Sequence, residues 1–235
     1  MSADKPFTKD HMDRCLKELA REFRKKSKFP VEIILVGGAS ILINYGFREM
    51  TYDMDAIIHS SYEMKDTINT VGDKLGLPTG WLNTDFTKTS SYTPRLVQYS
   101  KYYKTFSNFM QIRTVTSEYL VAVKLMAGRQ YKNDLSDIVG ILIEQEEQGD
   151  PLSLDRIKKA VVDLYDSYDR IPENSRTLIE SIYEKDDMGT FYQYYRELER
   201  ENKNILPVFQ DDDPNVLKED NLADVLKAAR AKQLK

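Results

Sequence analysis

The sequence has few residues that can form covalent or metal cross-links. Its 235 residues include one cysteine, Cys15, and two histidines. A single cysteine excludes an internal disulfide and is typical of a reducing compartment, and so small a set excludes a structural zinc site. The sequence also lacks any apolar run near the ~18 residues that span a bilayer, and its first residues lack the apolar core of a signal peptide. We therefore expect a cytoplasmic protein with no membrane contact.

Charge of one sign is not in large excess either. The formal net charge of −4 at pH 7 excludes a protein whose whole surface binds nucleic acid, but it leaves a local basic patch open. Hydrophobic residues make up 41% of the chain, which is enough for a real core, so global disorder is excluded. A chain of this length forms one large domain or two small ones.

The sequence pattern changes after residue 115. Before it, apolar strand patterns alternate with helical ones, and strands are predicted over 31–36, 52–59 and within 95–115, with helices over 8–28, 39–45 and 62–75. After it, every pattern is helical, and the last helices are predicted over 153–168, 175–184, 189–202 and 216–232, with a linker at 211–214. A Gly-Asp-Pro break at 149–151 predicts a first domain, 1–149, followed by a second, helical one, 150–235.

A glycine pair follows the first predicted strand. Gly37 and Gly38 stand between this strand and a helical pattern, where backbone amides without side chains can approach a phosphate closely. The hydroxyl of Ser40 can donate to the same group. A tight turn between a strand and a helix requires glycines equally well, so the pair alone leaves both interpretations open.

Two aspartates occupy the next predicted strand. Asp53 and Asp55 are two positions apart, so the alternation of a strand places both side chains on one face. Apolar residues follow them, which indicates a buried strand in which unpaired carboxylates are costly. The two negative charges also repel each other. A hard divalent cation such as Mg²⁺, bound by carboxylates and phosphates together, relieves this repulsion. The alternatives are a solvated strand end or ion pairs with Arg48, and the pattern favours the metal.

A lysine lies on an apolar helical face further along the chain. The neighbours of Lys124 one turn away are Leu120, Val121, Ala127 and Gly128, so a buried ammonium here requires an anionic partner. A triphosphate would supply that charge. The alternative is a lysine whose long side chain reaches solvent.

Acidic and basic residues follow this lysine closely. Asp134 and Asp137 are one helical turn apart and share a face. They either complete a polar site or cap their own helix and stabilise its positive N-terminal end. Spacing alone favours the second interpretation. Arg129 lies just upstream and is a candidate contact for phosphate or nucleic acid.

Taken in order, these residues resemble a known signature. The run Gly37-Gly38-Ala39-Ser40, followed by Arg48, Thr51, Asp53 and Asp55, is similar to the signature of the nucleotidyltransferase (polymerase-beta-like) superfamily. The later run from Lys124 to Arg129, with Asp134 and Asp137, resembles the branch that contains AbiEii-type toxins of bacterial toxin–antitoxin systems. The resemblance covers roughly residues 31–140.

The resemblance implies a fold and an activity. The fold is α/β (α+β), with a nucleotidyltransferase-like mixed sheet flanked by helices and followed by a C-terminal helical bundle. The activity is transfer of a nucleoside monophosphate from a nucleoside triphosphate such as ATP to a hydroxyl of RNA (tRNA included), of a protein or of a small molecule. An antitoxin protein is the further partner that this branch implies.

The resemblance also implies roles for the residues. Asp53 and Asp55 would hold Mg²⁺ or Mn²⁺, which bridges the phosphates. Lys124 would steady the phosphates, and Asp134 or Asp137 would orient this lysine or act on the acceptor. The expected triphosphate-binding residues are Gly37, Gly38, Ser40, Arg48, Thr51 and Arg129.

One departure from the family pattern motivates an alternative function. The predicted strand at 110–115 carries no third carboxylate. The alternative is therefore a nucleotide- or RNA-binding module of the same fold with weak or no catalytic activity.

Overall fold

A computed structural model describes residues 6–58, 62–129, 133–185 and 187–212, with side chains as far as residue 202. The five strands of the described residues are β1 (Val31–Leu35), β2 (Met54–Ile58), β3 (Leu82–Asn83), β4 (Ser100–Phe106) and β5 (Met110–Val115). The helices are α1 (Lys9–Lys26), α2 (Gly37–Asn44), α3 (Tyr62–Leu75), α4 (Ser117–Ala127), α5 (Asp134–Glu147), α6 (Leu154–Tyr165), α7 (Glu173–Lys185) and α8 (Met188–Asp212).

The strands form one mixed sheet in the order β3-β2-β1-β5-β4. The central strand β1 runs antiparallel to β2 and parallel to β5, while β3 adds in parallel to β2 and β4 adds antiparallel to β5. Helices cover both faces of the sheet. This arrangement confirms the predicted fold class.

The sheet separates two apolar cores. Ile33 and Leu35 of β1 pack with α1 and α3 on one face. Ile34 and Val36 point to the opposite face and pack with α4, α5, α6 and α7. This alternation is the normal consequence of a strand that is buried on both sides.

The second core extends across the predicted domain boundary. Val121 of α4 and Ile138 of α5 belong to the same buried cluster as Ile157 of α6 and Ile179 of α7. Division of the chain into 1–149 and 150–235 stays a prediction. The helices on the two sides of residue 149 nevertheless share apolar contacts, so α5 is held by elements that follow it.

Several predicted elements differ from the observed ones. The helix after β1 begins two residues earlier than predicted, because the positive φ of Gly37 (51°) lets the chain turn directly out of the strand. Part of the predicted strand region is a 3₁₀ helix, Pro94–Tyr99, because Pro94 fixes φ at its start and Thr93 caps it.

The end of the chain also differs from the prediction. Helix α8 continues to Asp212, so 211–212 is helical rather than a linker. The rest of the predicted linker, 213–214, and the helix predicted over 216–232 lie outside the described residues.

Candidate functional site

The turn from β1 into α2 lies beside one of the two aspartates. A β-carbon added to Gly37 would lie 3.8 Å from Oδ2 of Asp55. The N–H of Val36, the residue before the turn, donates to the carbonyl oxygen of Asp55 at 2.9 Å. Pairing between β1 and β2 therefore fixes the Asp55 carboxylate next to the first backbone amides of α2.

The second glycine allows a close approach by two polar side chains. A β-carbon at Gly38 would lie 2.9 Å from Nη2 of Arg48 and 2.9 Å from Oγ1 of Thr51. Thr51 is buried, and its hydroxyl donates to the carbonyl oxygen of Asp53 at 3.1 Å. The lack of a side chain at Gly38 thus lets the guanidinium of Arg48 lie against the backbone of the turn.

Replacing Gly38 with alanine should lower the free energy of unfolding by about 1–3 kcal/mol, because overpacking here displaces Arg48 or the buried Thr51. Urea denaturation measures this change. Gly189→Ala is the matched control, since the nearest atom lies 4.0 Å from its β-carbon and alanine favours the helix by up to about 1 kcal/mol. Equal stability of the two variants would contradict the close packing at Gly38.

Both aspartates lie at the start of β2. Met54 and Ala56 are fully buried against α1 and α3, whereas Ile57 packs on the face of α4 to α7. Strand alternation therefore directs Asp55 toward the second face, where it is half-buried, and Asp53 just before the strand is exposed. The pair is accessible at the sheet edge that carries the glycine turn.

The donor set at this edge fits a magnesium-type ion held partly by a substrate. Mg²⁺ takes one or two protein carboxylates and completes its shell with phosphates and waters. The described residues contain no group of three or more His, Cys, Asp or Glu side chains arranged as a metal site. A cation at Asp53 and Asp55 would complete its shell with oxygen atoms from phosphates or waters.

Lys124 is buried and contacts two carboxylates. Its Nζ lies 2.8 Å from Oδ1 of Asp134 and 2.9 Å from Oδ2 of Asp137, and the side chains of all three residues are at most 7% exposed. The prediction that this lysine requires an anionic partner is thus met by protein carboxylates. Arg129 adds a contact from its Nε to Oδ2 of Asp134 at 2.8 Å.

The charges of this buried cluster stabilise one another. Burial alone would lower the pKa of Lys124, but the carboxylates of Asp134 and Asp137 outweigh it and raise that pKa above its ordinary value. Burial would likewise raise the pKa of Asp134, but Lys124 and Arg129 outweigh it and lower that pKa. Lys124 and Asp134 are therefore both ionised at neutral pH.

Arg48 joins the glycine turn to the buried cluster. Its Nη1 donates to Oδ2 of Asp137 at 2.6 Å, the same oxygen that Lys124 contacts, while its Nη2 faces Gly38. Arg48 also donates from Nε to the carbonyl oxygen of Met50 at 3.2 Å. The predicted residues Gly38, Arg48, Lys124 and Asp137 therefore belong to one continuous polar site.

Ser40 is not at the surface of this site. Its side chain is fully buried, and its hydroxyl oxygen accepts the N–H of Val115 at 3.1 Å, which connects α2 to the end of β5. The phosphate contact predicted for Ser40 stays a prediction, and its hydroxyl oxygen also accepts from Nδ2 of Asn44 at 3.4 Å.

A cleft of about 630 Å³ opens beside Arg48 and Asp137. One wall is the segment after α2, another is the start of α5, and α8 supplies the third. The lining residues are Phe47, Arg48, Glu49, Met50, Asn133, Ser136, Asp137, Tyr192, Gln193, Arg196, Glu197, Glu199 and Arg200. Its volume lies within the usual range for small-molecule sites.

Two glutamates near the site make hydrogen bonds that were not predicted from the sequence. Glu144 of α5 accepts the N–H groups of Gly46 and Phe47 at 3.0 and 2.6 Å, which positions the segment that leads to Arg48. Glu199 of α8 accepts the N–H of Leu135 at the start of α5. Neither glutamate stands out by spacing or by neighbours, because each lies in an ordinary amphipathic helix.

The sheet, the glycine turn and the two aspartates define a mixed α/β protein with a polar site at one end of its central strands. Residues 14–190, which are most of the chain, match the family described as nucleotidyltransferase of unknown function (DUF6036). The chain therefore belongs to this family. The match includes every predicted site residue, and it ends just after the beginning of α8.

Other comparisons add less. A solved structure of an antigenic nucleotidyltransferase-like protein from Paracoccidioides brasiliensis is similar with a TM-score of 0.43 and 12% identity, over 80% of this chain and 95% of that one. No curated protein gives a significant match. Within the described part of the chain, no helix combines the length and apolar character that a membrane span needs.

Proposed function

We propose that this protein is a metal-dependent nucleotidyltransferase that moves a nucleoside monophosphate from a nucleoside triphosphate to a hydroxyl group. The observation that carries the proposal is the Asp55 carboxylate beside Gly37, together with the Arg48 guanidinium against Gly38. A triphosphate at this turn would contact backbone amides and the positively charged guanidinium of Arg48. It would also lie beside carboxylates suited to a divalent ion. Family membership supports nucleotidyl transfer in general.

The residues at the turn would bind and orient the triphosphate. Amides at the start of α2 would donate to phosphate oxygens, because Gly37 and Gly38 have no side chains of their own to block the approach. Arg48 would pair with the phosphates, and Thr51 holds the backbone that presents Asp53. Asp53 and Asp55 would hold Mg²⁺ or Mn²⁺, which supplies charge neutralisation at the reacting phosphate.

The buried cluster would hold Arg48 in place. Asp137 accepts from both Arg48 and Lys124, and Asp134 fixes Lys124 from the other side. We assign Lys124 and Asp134 to positioning, because Lys124 is only 7% exposed and its donors are directed at carboxylates. Arg129, which is 31% exposed, remains the cluster member best placed to contact substrate.

The reaction can be tested directly by label transfer. The full-length protein is incubated with each α-³²P nucleoside triphosphate, Mg²⁺ and either total RNA or a protein extract. We expect label on one acceptor class with release of pyrophosphate, and loss of the signal when EDTA removes the metal. No transfer with any of the four nucleotides, with Mg²⁺ or Mn²⁺, would contradict the proposal.

A binding module without turnover is the second candidate. It is favoured by the absence of a third acidic group near Asp53 and Asp55 among the described residues. Calorimetry with ATP and Mg²⁺ separates the two candidates. Metal-dependent binding without any transfer would favour the module, whereas transfer would exclude it.

The AbiEii-type resemblance adds a biological proposal. A toxin of this kind would slow growth when expressed alone in a bacterial host, and a neighbouring antitoxin protein would relieve that effect. We expect Asp55→Asn to remove the toxicity, because the same carboxylate would serve the transfer reaction. Equal toxicity of the two forms would contradict a catalytic toxin.

A further inference from the structure

Helix α8 inserts a buried carboxylate into the start of α5. Oε1 of Glu199 accepts the N–H of Leu135 at 2.8 Å and the N–H of Ser136 at 3.3 Å, and Oε2 accepts the Ser136 hydroxyl. Glu199 is only 1% exposed. It satisfies N–H groups in the first turn of α5, which have no partners within their own helix.

The capped turn is the one that carries the acidic residues of the site. Leu135 and Ser136 lie between Asp134 and Asp137, whose carboxylates hold Lys124 and, through Asp137, Arg48. Fixing the two backbone amides therefore fixes both neighbouring aspartates. A shift of about 1 Å in such a support is enough to impair catalysis in many enzymes.

The capping helix lies largely outside the family match. That match ends at residue 190, whereas α8 extends from Met188 to Asp212. The predicted site residues thus lie within the matched region, and Glu199 lies in the segment after it. The α8 residues Tyr192, Arg196 and Arg200 line the cleft from the same helix.

We propose that Glu199 is a positioning residue. Its hydrogen bonds with Leu135 and Ser136, called the clasp below, hold the first turn of α5 and thereby set Asp134 and Asp137 against Lys124 and Arg48. Its effect on nucleotidyl transfer rests on the proposed function. Its effect on the geometry of the buried cluster does not, since that cluster exists without substrate.

The contact between Glu199 and α5 depends on pH, because the Glu199 carboxyl can gain or lose a proton. Burial raises the pKa of Glu199 to about 7, with Asp137 adding to the rise, while the hydrogen bonds from Ser136 and Leu135 oppose it. Because this pKa is higher in the folded protein than the ordinary value of 4.5, ionisation of Glu199 opposes the folded contact between α8 and α5. The contribution of the clasp to stability is therefore lost as the pH rises through about 7. The other charged groups that line the same cleft are Arg48, Glu49, Arg196, Glu197 and Arg200.

Two substitutions of Glu199 separate capping from charge. Glu199→Ala removes the acceptor and leaves buried N–H groups unpaired. Glu199→Gln keeps a carbonyl oxygen for Leu135 and Ser136, presents an amide donor to Ser136, and cannot ionise. Glu201→Gln is the matched control, because Glu201 is an exposed glutamate of the same helix.

Amide hydrogen exchange and the ¹⁵N signal of the Lys124 ammonium are measured on the full chain between pH 6 and 8. We expect Glu199→Ala to speed exchange at Leu135 and Ser136 about tenfold or more and to move the Lys124 signal. We expect Glu199→Gln to restore both, and to exceed the wild type in protection at pH 8. The control should match the wild type throughout.

Three outcomes would overturn the proposal. They are unchanged exchange in Glu199→Ala, a Lys124 signal that does not move when exchange accelerates, and equal loss in the glutamine and alanine variants. If the wild type shows no transfer, the proposed function fails, while exchange and the Lys124 signal still decide this inference. If transfer occurs, Glu199→Ala should lower kcat more than it raises KM for ATP.

Discussion

Replacing Lys124 with methionine will lower the free energy of unfolding by about 3–5 kcal/mol, because it leaves two buried carboxylates without their central cation. Asp134 and Asp137 are 3% and 5% exposed, so water cannot replace the ammonium. Methionine has nearly the length of lysine, so the loss reports the charge rather than a large cavity. Urea denaturation of both proteins at pH 7 measures the difference.

An exposed ion pair provides the control for this experiment. Lys88 contacts Asp85 at 2.7 Å, but their side chains are 75% and 72% exposed. Lys88→Met should therefore change the unfolding free energy by at most about 1 kcal/mol. If Lys124→Met were as mild as Lys88→Met, the buried cluster would not have the geometry described above.

If the protein catalyses the proposed nucleotidyl transfer, Asp55→Asn will reduce it by roughly a thousandfold or more while the protein stays folded. Asparagine has the same shape but lacks the charge that a divalent ion requires, and charge stabilisation by such an ion is worth several kcal/mol, with a tenfold change in rate for each 1.36 kcal/mol. Asp55 is half-buried at the sheet edge, so the exchange leaves the core of β2 intact. Label transfer at saturating ATP measures the rate.

Circular dichroism and a second aspartate variant complete this test. Asp169→Asn changes the same residue type at a position outside the sheet where the side chain is 83% exposed, and it should keep wild-type activity. Transfer by Asp55→Asn above about a tenth of the wild-type rate would remove the proposed role of this carboxylate. Loss of transfer together with loss of the folded spectrum would show a structural role instead.

The buried cluster and Glu199 respond to pH in different ranges. The lowered pKa of Asp134 means that its contribution to stability is present above its ordinary value of 3.8 and is lost as the pH falls through the native pKa. The raised pKa of Lys124 means that its contribution is present below 10.5 and is lost at higher pH. Glu199 changes between 4.5 and about 7, so a stability change in that range that Glu199→Gln removes belongs to the clasp.

The local features of the site could be predicted from the sequence. A glycine pair after an apolar strand, two alternating aspartates and a lysine on an apolar helical face are patterns of neighbouring residues. The paired carboxylates and the buried ammonium each cost free energy unless an opposite charge lies nearby, so each pattern indicates a charged partner. Lys124 lies near the end of α4 and Asp134 at the start of α5 only 10 residues later, so this contact is close in the sequence although it joins two helices.

The long-range features could not be predicted in the same way. Arg48 and Asp137 are 89 residues apart, and Ser136 and Glu199 are 63 apart. Such contacts depend on how helices pack, and an arginine or glutamate that makes one looks like any solvent-facing residue of its segment. Ser40 shows the reverse case, because its position in the motif gave no sign that β5 would bury its hydroxyl.

The clasp on α5 also has a consequence for synthesis of the chain. Leu135 leaves the ribosome 64 residues before Glu199 does, which at 5–20 residues per second is an interval of about 3–13 s. During that interval the whole sheet and α5 can form, but the first turn of α5 lacks its carboxylate cap. The carboxylate cap that holds Asp134 and Asp137 can therefore form only after Glu199 has been synthesised, when all five strands are already complete in the chain.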